Sequence, residues 1–279
     1  MVLWLAQRFF AQGKRVAVLS RGYRGARGTS DEVELLRTRL GESVTVAAGA
    51  DRFAAGRALE EHAAVDVFVL DDGFQHMQLA RDVDILLMDA SRPLANERLL
   101  PAGLLREPVS AMSRADILVF TRADAQPGVN AALSRLSEYP VFSATTKLLG
   151  FRDLRGDGKR SLLDLRQIGE GPFLAFCGLG NPQQYFSDLE SWGVVVQARK
   201  AFPDHHRYTA ADVALIERAA EQCGARALMT TEKDAQNMDR ALPRRVPMYA
   251  AVIDMEITHD EDFLALIEAR IAQHAGAAS

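Results

Sequence analysis

The sequence predicts an α/β fold built on a mostly parallel sheet, with a second, smaller α/β domain, and three features predict it. Short apolar runs, among them VFVLDD (67–72), DILLMDA (84–90) and DILVFTRAD (116–124), stop abruptly at polar residues. Strands of a parallel sheet buried on both faces have this look. Between the runs lie segments with apolar residues at helical spacing, the alternation of a doubly wound sheet. Around 141–172 the texture changes to short β-like runs mixed with Gly, Asp, Arg and Lys, and the alternation then resumes. The expected organisation is one domain over 1–145, then a hinge and a smaller α/β domain over 146–279.

The elements follow in order. MVLWLAQRFFAQ sets Leu3, Trp4, Ala6, Phe10 and Ala11 at helical spacing and predicts an amphipathic helix ending near Gly13. RVAVLS (15–20) reads as a strand that opens into the loop RGYRGARG. Ser30 or Asp31 stands as the cap of the apolar-periodic stretch that follows. VTVAA (44–48) predicts a strand and DRFAAGRALEEHAA (51–64) a helix. Later come the strand FLAFCGLG (173–180), a helix from Pro182 to about Trp192, and the strand VVVQARK (194–200). A helix near 209–222 capped by Thr209, the strand ALMTT (227–231), a run at 246–254 and a helix from about Asp260 complete the chain.

Bulk properties exclude several classes. Of the 279 residues 48% are hydrophobic and 25% charged, the balance of a globular protein, and the net charge of -4 gives no sign of a nucleic-acid binder. Cys177 and Cys223 fit neither a zinc spacing nor a disulfide framework, which points to a reducing compartment. No apolar run reaches the length of a membrane-spanning helix, and the N-terminus lacks the basic start and small-residue cleavage site of a signal peptide.

Several groups carry chemistry. Asp71 and Asp72 follow four apolar residues and precede Gly73, Gln75 and His76. Carboxylates at the end of a parallel strand can hold Mg²⁺ beside a phosphate, or serve as turn residues. The loop SRGYRGARG, which begins with Ser20 and Arg21, offers backbone N–H groups and guanidinium forks to phosphate, and reads equally as a solvated loop. Asp31 can accept a proton from an attacking hydroxyl or belong to a helix cap. In FPDHHRYT (202–209), His205 and His206 are adjacent, so on regular backbone one at most acts on a ligand. Lys233, in TTEKDAQN, can reach a phosphate or pair with Asp234. Arg106, in LLPAGLLREP (99–108), lies in a substrate-facing loop or a rigid connection.

Taken together, RVAVLSRGYRG (15–25), VLDDGFQHMQLARDVDILLMDA (69–90), LLPAGLLREP (99–108), FCGLGNPQQYF (176–186), FPDHH (202–206) and TTEKDA (230–235) resemble tetraacyldisaccharide 4′-kinase, the lipid A kinase of Gram-negative bacteria. The six stretches stand in the family's order over most of the chain. The resemblance implies a P-loop kinase-like domain. It implies transfer of the γ-phosphate of ATP, with Mg²⁺, to the 4′-hydroxyl of an acylated glucosamine disaccharide 1-phosphate. It places this activity at the cytoplasmic face of the inner membrane, with the membrane surface as a partner. By the same resemblance Asp71 and Asp72 sit at the metal and phosphates, with Gln75 and His76 nearby. Asp31 and His205 match the family's proton-accepting pair, expected to meet when the hinge closes, and Arg52 falls near an arginine of the substrate cleft. Two other readings remain at this stage: a non-catalytic remnant that binds anionic lipid or a partner through Arg21, Arg24 and Arg27, and another P-loop small-molecule kinase sharing only the fold.

The sequence also departs from the family. It reads S-D-E-V at Asp31 where the family has G-D-E-P, and L-A-N-E at Asn96 where the family has G-N-G. The family's phosphate-binding G-G-T-G-K-T-P precedes the helix within which this chain begins, and Met1 stands where the family has a valine, whose GTG codon also starts translation. The expectation is a coding sequence that begins further upstream, a genuine truncation being the alternative. That loop supplies the N–H cradle and the phosphate-binding lysine. The 279-residue chain made as written is therefore expected to phosphorylate the lipid little or not at all. Radiolabel transfer from ATP, compared with the same chain extended in frame upstream of Met1, checks this; equal rates would refute it.

Overall fold

The computed structural model describes residues 1–22, 30–90, 94, 98–122, 138–155, 161–239 and 245–277. The chain forms two compact units, one of Val2–Val69 with Leu148–Asp254, the other of Met1, Leu70–Lys147 and Met255–Ser279. One crossing, at Lys147/Leu148, falls next to the expected boundary, while residues 2–69 group with 148–254.

The first unit opens with α1 (Val2–Ala11). Its buried face is Trp4, Leu5, Ala6 and Phe9, whereas Phe10 and Ala11, expected in that face, are exposed. Leu5 and Phe9, one turn apart, set the stripe, and the helix is rotated accordingly. β1 (Val16–Ser20) is buried throughout and pairs in parallel with β2 (Thr45–Ala48). The strand order is β2-β1-β3, with β3 at Val67–Leu70. Between them α2 (Asp31–Leu40) starts where the Ser30 hydroxyl accepts from Val33 N–H at 3.2 Å. α3 (Arg52–His62) starts where Asp51 accepts from Ala54 N–H at 2.9 Å. Each cap satisfies a donor that a helix start leaves open.

In the second unit β4 (Ile85–Asp89), β5 (Ile117–Thr121) and β6 (Val141–Asp153) pair in parallel. β5 is buried almost throughout, but β4 is not covered on both faces as its apolar run predicts, because Leu87 is 41% exposed. Met88 packs into the core with Phe120 and Met112, so β4 is an edge strand with one covered face. Segment 141–153, expected as several short runs, is the single 13-residue strand β6, which passes from this unit into the other.

The remaining elements belong to the first unit up to Asp254: α4 (Leu165–Ile168), β7 (Phe173–Cys177), α5 (Pro182–Ser191), β8 (Val196–Ala201), α6 (Ala210–Cys223), β9 (Ala227–Thr231), α7 (Glu232–Gln236) and β10 (Met248–Ile257). β7, β8, β9 and β10 pair in parallel. β7 shows why both its faces must be apolar. Phe173, Ala175 and Cys177 pack with Tyr185, Phe186 and Leu189 of α5, and Leu174 and Phe176 pack with Ile216 and Ala220 of α6. The period of two sends alternate residues to opposite helices. The chain closes with α8 (Asp260–Ala277), where Phe263 packs edge-to-face on Phe142 with ring centroids 4.9 Å apart. The mostly parallel α/β fold expected from the sequence is borne out.

Phe176 is fully buried among Tyr208, Ile216, Leu228 and Met248. Phe176→Ala is expected to lower unfolding free energy by about 3–5 kcal/mol, read as a shift of the urea midpoint at constant m-value.

Candidate active site

The five-residue helix α7 organises the site. Thr231 caps it, its hydroxyl accepting from Asp234 N–H at 3.0 Å and donating to Asp234 Oδ2 at 2.6 Å. One turn then sends neighbouring side chains in different directions. Glu232 is buried between Arg39 of α2 at 2.8 Å and Arg152 of β6 at 3.3 Å. Burial pushes its carboxyl up, against the pull of both arginines. Asp234 is fully buried and accepts from Gly178 N–H at 2.8 Å and the Tyr208 hydroxyl at 2.8 Å. Burial raises the carboxyl above its ordinary value despite these donors, and the same burial beside a carboxylate raises the Tyr208 hydroxyl. Lys233 does not pair with Asp234. Its ammonium turns to Asp204 at 3.4 Å, Glu32 at 3.8 Å and Asp31 at 4.0 Å, and lies 3.4 Å from His205 Nε2.

Asp31 is the first residue of α2, the cap being Ser30. Its carboxylate is freed from capping and sits at a helix N-terminus, where negative charge is favoured. The side chain is only 6% exposed. Oδ2 accepts from Asn237 Nδ2 at 2.9 Å and lies 3.0 Å from His205 Nδ1. Burial alone would raise this carboxyl, but the hydrogen bonds from Asn237 and His205 and the charge of Lys233 outweigh it and hold it below the ordinary value.

His205 is held in the left-handed region at φ 57, uncommon outside glycine. Its N–H donates to Gly178 O at 3.2 Å and Asp204 Oδ1 at 3.0 Å, which fixes the strained turn. A Cβ on Gly178 would stand 2.9 Å from Pro203 O and 3.1 Å from His206 Cβ, so glycine permits the close approach of the two loops. His206 stacks on Phe202 at 4.6 Å and lies 3.3 Å from Asp212, away from Asp31. One histidine of the pair therefore faces the cluster, as expected. Asp31 and His205 meet inside one compact unit, already in hydrogen-bond distance, where the sequence led us to expect them to meet on hinge closure.

The second cluster lies at the end of β3. Asp71 is half-buried and Asp72 exposed, at φ 49, with Arg106 Nη1 bridging both oxygens of Asp72 at 2.8 and 2.9 Å. Gln75 is exposed and His76 half-buried. Arg81 shapes this loop by donating to the carbonyls of His76 and Leu79 and pairing with Asp84. Carboxylates are the hard oxygen donors of which Mg²⁺ takes one or two, and the exposed Asp72 carboxylate already pairs with a cation. Asp31, Glu32 and His205 also offer ligand atoms within 4.8 Å of one another, and there Lys233 supplies the positive charge.

Arg21 is exposed just past β1, and Arg52 is buried at the start of α3, 4% exposed. Arg24, Arg27 and Asn96 lie outside the described residues. The sequence reading left Asn237 and Asp204 unassigned. Asn237 stands four residues after Lys233, the spacing that puts two side chains on one helical face, and this was the available signal.

The family model described as tetraacyldisaccharide-1-P 4'-kinase (LpxK) matches residues 1–272. A tetraacyldisaccharide 4'-kinase of Geobacter metallireducens is 39% identical, over 92% of this chain and 79% of that protein. One of Syntrophobacter fumaroxidans is 38% identical, over 94% of this chain and 72% of that protein. A crystal structure of LpxK from Aquifex aeolicus in complex with ATP superposes with a TM-score of 0.71 at 27% identity, covering 97% of this chain and 82% of that one. The P-loop kinase-like fold class is thereby shown.

The lowered Asp31 carboxyl stabilises the fold at neutral pH, and that contribution is lost as pH falls through its folded value, below the unfolded value of about 3.9. Asp31→Asn is expected to be less stable than the parent at pH 7, with the gap shrinking below about pH 4. Urea titrations at both pH values check this, and a gap independent of pH would contradict it.

Proposed function

Because this chain belongs to the tetraacyldisaccharide-1-P 4'-kinase family, we propose that it transfers the γ-phosphoryl group of ATP to the 4′-hydroxyl of an acylated glucosamine disaccharide 1-phosphate, a lipid A precursor. The observation that carries the reading of the site is the buried Asp31 carboxylate 3.0 Å from His205 Nδ1. Phosphoryl transfer demands positioning, charge stabilisation and one group to take the hydroxyl's proton. Asp31 and His205 are that proton-accepting pair, with Asn237 donating to the Asp31 carboxylate. Mg²⁺, when bound, neutralises charge on the transferring phosphate, and Asp71 and Asp72 are the residues to hold it. Arg106, Arg21, Arg52, Gln75 and His76 are assigned to phosphate and sugar, where guanidinium forks match phosphate oxygens. Lys233, expected at a phosphate, has its ammonium engaged by the Asp31–His205 cluster.

No helix among the described residues is long and apolar enough to cross a membrane. The acyl chains of the substrate hold it in the bilayer. The reaction therefore belongs at the membrane surface, on the cytoplasmic face of the inner membrane where ATP is available.

The test uses protein expressed with its native upstream coding sequence, labelled ATP and the acylated disaccharide 1-phosphate. Asp31→Asn and His205→Asn are each expected to lower turnover by about 10²–10⁴-fold, with little change in KM for ATP. Undiminished turnover of either variant would remove that residue from the proton-accepting pair.

A further inference from the structure

We propose that the loop Leu99–Leu104 is a bilayer-contacting tip, its leucines entering the acyl boundary of an anionic membrane while Arg98 and Arg106 meet headgroup phosphates. This rests on the kinase reading above and adds to it which part of the surface meets the lipid.

Six consecutive residues, Leu-Leu-Pro-Ala-Gly-Leu, carry no charge and lie between two arginines. Leu99, Leu100 and Leu104 are 42%, 59% and 60% exposed, and Pro101 and Ala102 are exposed with them. Among the described residues, other large apolar side chains as exposed as these stand one to an element, such as Phe10 on α1, Phe53 on α3 and Leu215 on α6. A lone exposed leucine is ordinary, but three within six residues form a patch.

The backbone keeps that patch on display. Leu100 N–H donates to Leu105 O at 2.9 Å, Gly103 N–H to Leu99 O at 2.8 Å, and Leu105 N–H to Arg98 O at 3.1 Å. A Cβ on Gly103 would collide with the Arg98 backbone, so glycine closes the turn. A tip that satisfies these backbone groups internally enters an apolar medium at lower cost than an open loop.

Size and charge select the occupant. A stable protein interface takes about 20–30 residues a side, more than this tip supplies. Insertion to about 5–10 Å at a bilayer surface needs only a few apolar side chains. Arg98 and Arg106 are exposed on either side of the leucines and suit anionic phosphates, although the chain as a whole carries -4. Arg106, assigned above to phosphate and sugar, stands two residues from Leu104. Leucines in the acyl boundary would set its guanidinium at the depth of the lipid headgroups, where the proposed substrate presents its sugars.

The test sediments the 279-residue chain with vesicles of phosphatidylethanolamine and phosphatidylglycerol, with neither nucleotide nor acylated disaccharide present. The parent is expected to bind. Leu100→Asp and Leu104→Asp are each expected to lower the partition coefficient by about tenfold, and Leu215→Asp to leave it unchanged. Leu100→Trp supplies a local readout should the aspartate variants fail to fold. Its emission, after subtraction of the parent's Trp4 and Trp192, is expected to move to shorter wavelength when vesicles are added. A parent that does not bind, aspartate variants that bind like the parent, an equal loss in Leu215→Asp, or an unmoved Leu100→Trp spectrum would each overturn the inference. Binding only to vesicles that contain the acylated disaccharide 1-phosphate would also overturn it, by making the loop a seat for substrate alone. Loop-dependent binding by a protein that, with its upstream coding sequence, transfers no phosphate would spare this inference and remove the kinase reading. Phosphate transfer with loop-independent vesicle binding would do the reverse.

Discussion

The burial of Glu232 between Arg39 and Arg152 is the constraint on which the site depends. A carboxylate in that position is tolerable only with its partners, and removing one partner from a buried pair costs about 3–5 kcal/mol. Arg39 lies in the last turn of α2 and Asp31 begins it, so the Arg39–Glu232 pair also draws α2 onto α7. Once that register is set, Asn237 reaches Asp31 and Lys233 reaches the carboxylates around it.

Two aspartates show how environment divides the work. Asp234 is as isolated from solvent as Phe176, and its donors do not overcome burial, so its carboxyl is raised. Its role is architectural: it holds the Gly178 backbone, which in turn holds the His205 N–H. Asp31 is also largely covered, yet two hydrogen bonds and an ammonium hold it charged. The sign of the shift separates the two carboxyls, although both residues carry the same group.

Much of the fold was legible because apolar runs and caps are local. Ser30, Thr209 and Pro182 announce helix starts by the donors they satisfy or do without, and the structure has helices there. β4 was misread because an apolar run does not say whether a second layer covers it. β6 was broken into pieces because its Gly150, Lys147 and Arg152 look like loop residues in a strand of 13. At the site, the candidate residues were legible but their arrangement was not. Asp31 and His205 are 174 positions apart, and nothing near either one in the sequence encodes their contact. Lys233 was read as reaching a phosphate or pairing with its neighbour Asp234, but adjacent positions on a helix face different ways, and α7 is too short to show a period.

The two clusters differ in what they can exchange. Arg106 and Asp72 are 60% and 64% exposed, and an ion pair in that setting contributes about 0–1 kcal/mol. Parting them costs little, so each can take a ligand of opposite charge: a divalent cation for the carboxylate, a phosphate oxygen for the guanidinium. The Asp31 contacts lie at a side chain 6% exposed, where losing a partner leaves a covered charge unmet. That cluster resists exchange and keeps its geometry.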